Sequence, residues 1–303
     1  MLNQHVKSHL ALLGANIIYG LNYVIAKGIM PDYLMPKAII FLRVIVTVLV
    51  FGILHFILPA EKVERRDLFK MALCAVFGVA INQILFFEGL NLSTPINASI
   101  IITAIPVLII VFSHYILKEK ITTIKVLGII LGAAGALMII LSAGSGDFKS
   151  STMLGNFLIF INATSWALYL VLIKPLMKKY NSITIMKWVF IFGLIIIFPF
   201  TFKPFIVSSF TAIPFNIWMS VLFVVFAATI IAYFLNNYSL KSVSPSVNGI
   251  YIYIQPLIAS VVAILFGKDE LTVIKTIAAL FIMAGVYFVT RQHETNKPVF
   301  PEA

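Results

Sequence analysis

KEKITTIK, residues 118–125, returns 150 residues later as KDELTVIK, residues 268–275. The same shift pairs Pro95 with Pro245, Pro106 with Pro256, and Ala134-Gly135 with Ala284-Gly285. Nearer the start a shift of 147 pairs Tyr19-Gly20 with Trp166-Ala167 and Lys27 with Lys174. A coherent set of this kind along whole halves marks an internal duplication, residues 1–145 repeated as 146–303.

Composition says what is duplicated. Apolar residues make up 61% of the 303, charged residues 11%, and Phe alone occurs 26 times. A soluble domain carries roughly twice that charge. Runs of about 20 apolar residues, the length a helix needs to cross ~30 Å of hydrocarbon, fill most of the chain. We therefore expect an all-α integral membrane protein with transmembrane helices near 10–29, 37–58, 68–90, 95–117, 124–142, 154–174, 183–201, 214–238, 245–266 and 272–290. The run after Met1–His9 is too long for a signal-peptide core and reads as the first span. Pro31, Pro36, Pro59, Pro95, Pro204, Pro214 and Pro245 fall near span ends, where a missing N–H is tolerated. Pro106 and Pro256 lie inside spans and predict kinks.

Five spans per half is an odd number, so the second half enters the membrane upside down. Two inverted five-helix repeats are a recurrent carrier design, with substrate near the midplane between them. Lys and Arg concentrate on one side, at Lys7, Lys62, Arg65, Arg66, Lys70, Lys118, Lys120, Lys125, Lys174, Lys178, Lys179, Lys187, Lys241, Arg291 and Lys297. The other side keeps Lys27, Lys37, Lys149, Lys203, Lys268 and Lys275. The positive-inside rule then puts both termini in the cytoplasm. The expected location is the plasma membrane, a bacterial inner membrane. This placement also accounts for the net charge of +11 without nucleic acid.

These features resemble the EamA family of the drug/metabolite transporter superfamily. The resemblance rests on two five-helix halves, each ending in K-(E/D)-x-(I/L)-T-x-I-K followed by an Ala-Gly helix. It rests also on the pairs Tyr19-Gly20 and Trp166-Ala167, on Phe41-Leu42-Arg43, and on residues 89–94 and 239–244. It spans residues 9 to 290 and implies a ten-helix carrier, often an exporter of amino acids, related metabolites or drugs. Tyr19 departs from the Trp usual in the family at that position.

Polar side chains inside hydrocarbon either face a cavity or bond to another helix. In the first helix Asn16, Gly20, Tyr23 and Lys27 share a face, with Asn22 beside them. Asn82 and Gln83 stand alone in the third, and Asn162, Ser165, Trp166 and Tyr169 align in the sixth. Thr229, Tyr233 and Asn236 or Asn237 align in the eighth, and Asn248, Tyr251 and Gln255 in the ninth. The substrate-cavity candidates are Asn22, Tyr23, Asn82, Gln83, Trp166, Tyr169, Tyr233, Asn237, Asn248, Tyr251 and Gln255. At the 150 shift Asn248, Tyr251 and Gln255 become Ala98, Ile101 and Ile105, so a polar wall is expected to face an apolar one. That suits an amphipathic solute such as an apolar amino acid. Arg43 and Glu88 are charges placed within the outer half of the membrane. They either reach separately to the interface or pair as a gate or coupling site.

Cys74 is the single cysteine, and His55 and His114 lack ligand partners at metal spacing, so no metal site is expected. No phosphate-binding G-x-x-x-x-G-K-(S/T) loop occurs, so no nucleotide cofactor is expected and transport would be secondary. Gly128, Gly132 and Ala136 form a small-residue ridge that either packs within its own half or joins a homodimer. The expected function is a secondary transporter of a small metabolite in contact with membrane lipid. An intramembrane enzyme needs clustered acids or a Ser/His constellation, and only isolated members occur. A channel would line its pore with repeated rings rather than an inverted duplication.

Overall fold

The computed structural model of the chain describes residues 4–57, 61–142, 151–265 and 272–295. Pro59, Lys149, Lys268 and Lys297, and the side chains of Ala136, Lys275 and Arg291, lie outside the described residues. Among those described there are helices and turns but no strand. The first half comprises α1 (Gln4–Ile29), α2 (Pro36–Ile57), α3 (Arg65–Leu92), α4 (Pro95–Ile102 and Ile105–Leu117) and α5 (Thr123–Ser142). The second comprises α6 (Ser151–Lys179), α7 (Ser182–Ile206), α8 (Phe215–Ser239), α9 (Pro245–Leu265, in three segments) and α10 (Val273–Thr295). The fold is an all-α membrane bundle of two inverted five-helix repeats. Seven of these helices, α1 to α4 and α6 to α8, are long and apolar enough to cross a membrane. Shorter apolar stretches, Thr123–Gly135 and Thr276–Val289, lie in α5 and α10.

The helix starts follow local chemistry. Thr94 and Ser244 accept the backbone N–H of Asn97 and Val247, capping α4 and α9 ahead of Pro95 and Pro245 at the first turn. The expected kinks at Pro106 and Pro256 are outright breaks, at Thr103–Ala104 and at a 3-10 turn, Tyr251–Tyr253. Proline supplies no N–H to the carbonyl four residues earlier, so Ile102 and Ile252 are the positions whose helical bond is lost. α3 and α8 each widen into a π-helical stretch, Val76–Ile81 and Phe223–Ile231. Nothing in these apolar sequences announced it.

Several starts and stops move outward from the expected ones. α1 begins at Gln4, α6 runs on to Lys179 and α7 to Ile206, with Pro199 and Pro204 inside its last turns. Apolar side chains such as Ile53, Ile195, Phe215 and Leu280 remain more than half exposed. That surface suits lipid, where apolar exposure costs nothing.

Inside lipid, helices associate by close packing rather than by the hydrophobic effect. A Cβ on Gly78 would fall 2.2 Å from Cδ2 of Tyr169, and one on Gly285 would fall 2.5 Å from the carbonyl oxygen of Gly128. Gly132 likewise touches the ring of Tyr253. Gly128 and Gly132 of the ridge are thus covered by α10 and α9 of the same chain. The main partner of α5 is α10, in the other half, where packing within its own half was expected.

Candidate functional site

The breaks in α4 and α9 border one cavity between the halves, of about 80 Å³, room for roughly five water molecules. It draws walls from α1, α2, α3 and α4 of the first half and from α6, α8 and α9 of the second. Equivalent positions meet there. Ile102 and Ile252 both line it, and so do Ile105 and Gln255, each pair 150 residues apart. The 147 shift relates Tyr19 and Trp166, whose rings meet edge to face with centroids 6.2 Å apart.

Gln255 organises the wall formed by α1. Its side-chain oxygen accepts the hydroxyl of Tyr23 at 2.8 Å and its amide nitrogen donates to Asn16 Oδ1 at 2.8 Å. Gly20 permits the approach, since a Cβ there would lie 3.0 Å from the Gln255 carbonyl oxygen.

The π-helical stretch of α3 offers its carbonyls to the opposite half. Tyr233 donates to the Gly78 carbonyl and to Asn82 Oδ1, both at 3.0 Å. Ser165 donates to the Phe77 carbonyl at 2.6 Å and Asn162 to the Asn82 carbonyl at 2.8 Å. In α8 the equivalent position to Gly78 is Ala228, whose carbonyl receives the Arg43 guanidinium at 3.4 Å. Arg43 Nε also donates to Thr229 Oγ1 at 2.5 Å, and its Cζ lies 4.5 Å from the centre of the Phe87 ring.

Some polar atoms in this cavity have nothing to bond. Gln83 is buried with both amide atoms unpartnered, as are the Tyr19 hydroxyl and Asn22 Oδ1. Gln83 faces Tyr233, and Tyr19 faces Asn236, without completing hydrogen-bond geometry. Buried polar groups are normally satisfied, so orphans gathered in one cavity point to a ligand or water.

The model of the EamA-like transporter family matches residues 6–141 and again residues 153–291. The chain belongs to that family. It is 25% identical to the uncharacterized transporter YyaM of Bacillus subtilis over 93% of each chain. It is 27% identical to a WAT1-related protein of Arabidopsis thaliana, over 76% of this chain and 67% of that one. A solved crystal structure shares the fold with a TM-score of 0.74 at 16% identity, covering 96% of this chain and 98% of the other. The Bacillus subtilis relative of this EamA-like chain bears a transporter name, and neither relative cited is named as an enzyme. It is a multi-pass membrane protein of a transporter family.

Of the residues singled out from sequence, Asn22, Tyr23, Asn82, Gln83, Trp166, Tyr233 and Gln255 line the EamA-like cavity, as does Arg43. Four others stand outside its lining. Tyr169 donates to Asn237 Oδ1 at 2.9 Å, and Asn237 donates to the Tyr233 carbonyl and to Met186 sulfur. Asn248 is spent on Asn236 and Ser239, closing the turn between α8 and α9. Tyr251 meets His9 Nδ1 at 2.8 Å. The pair between Arg43 and Glu88 does not form: Arg43 turns to Thr229, Ala228 and Phe87, and Glu88 is half-buried elsewhere. Sequence reasoning missed Ile102 and Ile252 as wall residues. Their signal was there, four residues before each of the paired prolines.

The two ends of the bundle differ. At the end bearing the N-terminus, side chains join the halves at Ser8 and Ser242 (2.5 Å), His9 and Tyr251, and Glu119 and Ser246 (2.9 Å). There too, Lys179 bridges Asp67 at 2.6 Å and Glu64 at 2.7 Å, and the Tyr180 hydroxyl donates to Asp67. At the other end Ser93 donates to Asn156 at 2.6 Å.

Proposed function

We propose that this chain is a secondary transporter, working as an exporter of a small amphipathic metabolite such as an amino acid, by alternating access. One observation carries the reading: a partly polar cavity lies between two inverted halves, at the breaks in α4 and α9. Broken helices at a repeat interface are where carriers of this design hold substrate. Ile102 and Ile105 opposite Gln255 supply the apolar and polar walls that an amphipathic solute needs. The cross-links at the N-terminal end support a state closed on that side, with Lys179–Asp67 as part of the seal. Opening the seal requires exchanging those bonds for water, including those of the buried Asp67 carboxylate to Lys179 and Tyr180.

The Lys/Arg distribution supports a plasma-membrane orientation with both termini cytoplasmic. The partners in this reading are the solute and lipid. Counterflow in proteoliposomes tests it: solute trapped inside should accelerate uptake of the labelled solute outside, and flux should saturate. Flux that rises linearly with concentration and shows no counterflow would mean a channel. Topology is tested apart, by reporter fusions after Arg66 and Lys179, expected inside, and after Lys203, expected outside. One consistent reversal undoes the orientation.

A further inference from the structure

We infer that the cavity takes a small monocarboxylic acid with an apolar body, its carboxylate seated on the guanidinium of Arg43. This deepens the transport proposal and rests on reading the cavity as the substrate site. Arg43 is 4% exposed, within a membrane-spanning helix, and lines the cavity. Among the described residues no carboxylate lies within 4.0 Å of it. A guanidinium has five N–H donors in a planar fork. Nε is taken by Thr229 and one Nη2 hydrogen reaches the distant Ala228 carbonyl. Among the described residues no further acceptor bonds the guanidinium.

The setting holds the group in place without neutralising it. The Thr229 hydroxyl donates its own proton to the Val224 carbonyl at 2.7 Å, which leaves its oxygen free to accept from Nε. The Phe87 ring covers one face of the guanidinium. A full charge buried this way is costly unless an anion or water completes it. The cavity supplies the space for one.

Chemistry narrows the anion. Lys27, the nearest cation on α1 by sequence, is spent on the Leu90 and Asn91 carbonyls at 2.9 and 2.7 Å. One guanidinium alone matches one negative charge, so a phosphate dianion would leave charge uncompensated in a dry site. Planar, bidentate recognition favours a carboxylate. Ile102, Ile105, Phe86 and Trp166 then receive an apolar body.

The test uses purified full-length chain in detergent and matched pairs: isovalerate with isovaleramide, phenylacetate with phenylacetamide, L-leucine with L-leucinamide. Thermal unfolding is followed at fixed pH and ionic strength. At least one acid should raise the unfolding temperature where its amide does not. Arg43→Gln should weaken that acid by about 30-fold or more, while Arg43→Lys should keep the preference for acid over amide. Amides that match their acids across the panel would overturn the inference, with or without a folded Arg43→Gln protein. So would a preference that survives Arg43→Gln unchanged. Failure of the transport reading looks different: acids bind through Arg43, yet proteoliposomes show no flux. Saturable flux of a neutral solute indifferent to Arg43 would sink this inference and leave the carrier standing.

Discussion

The two π-helical stretches, Val76–Ile81 in α3 and Phe223–Ile231 in α8, are the same backbone device satisfied in opposite ways. The first gives its carbonyls to neutral donors, Ser165 and Tyr233, which cross from the second half. The second turns the Ala228 carbonyl and the Thr229 hydroxyl towards a cation, Arg43, which crosses from the first. Duplication preserved the widened turn and the crossing. Divergence changed the charge of what crosses, so a symmetric scaffold holds an asymmetric cavity. A widened turn presents backbone dipoles to whichever side chain arrives, and the arriving residue decides the chemistry.

The largest expected effect tests the charged side. Thr229→Val keeps the shape but strands Arg43 Nε, and should cost about 2 kcal/mol, as bonds to charged groups do. Unfolding in detergent measures it. A cost no greater than that of Tyr233→Phe would mean the two stretches are energetically alike.

Next comes the wall formed by α4 and α9. Gln255→Ile makes the second half match Ile105 of the first, and leaves Tyr23 and Asn16 without their partner. Stability should fall by about 1–2 kcal/mol and transport should weaken. Adding Tyr23→Phe should recover part of the stability and none of the transport. Recovery of both would make this face a packing surface only.

Tyr233→Phe should cost about 1 kcal/mol, since two neutral acceptors lose one shared donor. The smallest effect compares Lys27 with Lys174. Lys27 caps the end of α3 through Leu90 and Asn91, and Lys174 the end of α8 through Leu240 and Val243. Replacing either by Met should cost under about 1 kcal/mol, the scale of a cation at a helix C-terminus. Lys174→Met should be the worse, because its carbonyls span the turn from α8 into α9. Equal losses would mean that each lysine acts only on its own helix end.

The duplication, the spans and the equivalence of Lys27 with Lys174 were legible because they rest on residue identity at fixed spacing. Gln255 and Tyr233 were legible as polar residues in apolar runs. The π-helical stretches were not, since VFGVAI and FVVFAATII contain no residue that demands a wider turn. Nor was the partner of Arg43. Thr229 is 186 residues away, and depth alone made Glu88 look suitable. Successive helical residues point about 100° apart. With Phe87 turned to Arg43, Glu88 faces elsewhere. Asn248 misled for a related reason: it shares a face with Gln255 but sits in the first turn of α9, where the end of α8 claims it.

The glycine contact between α5 and α10 has a consequence for how the chain is made. Gly128 of α5 is shaped to receive the backbone of Gly285 and the side chain of Val289, which are synthesised well after it. Until α10 emerges from the ribosome, the first half must wait in the bilayer with a bare glycine groove, open to lipid or to stray helices. The fold is therefore locked by α10, and a nascent chain halted before Val273 should be a target for membrane proteolysis even though α1 to α9 are already in place.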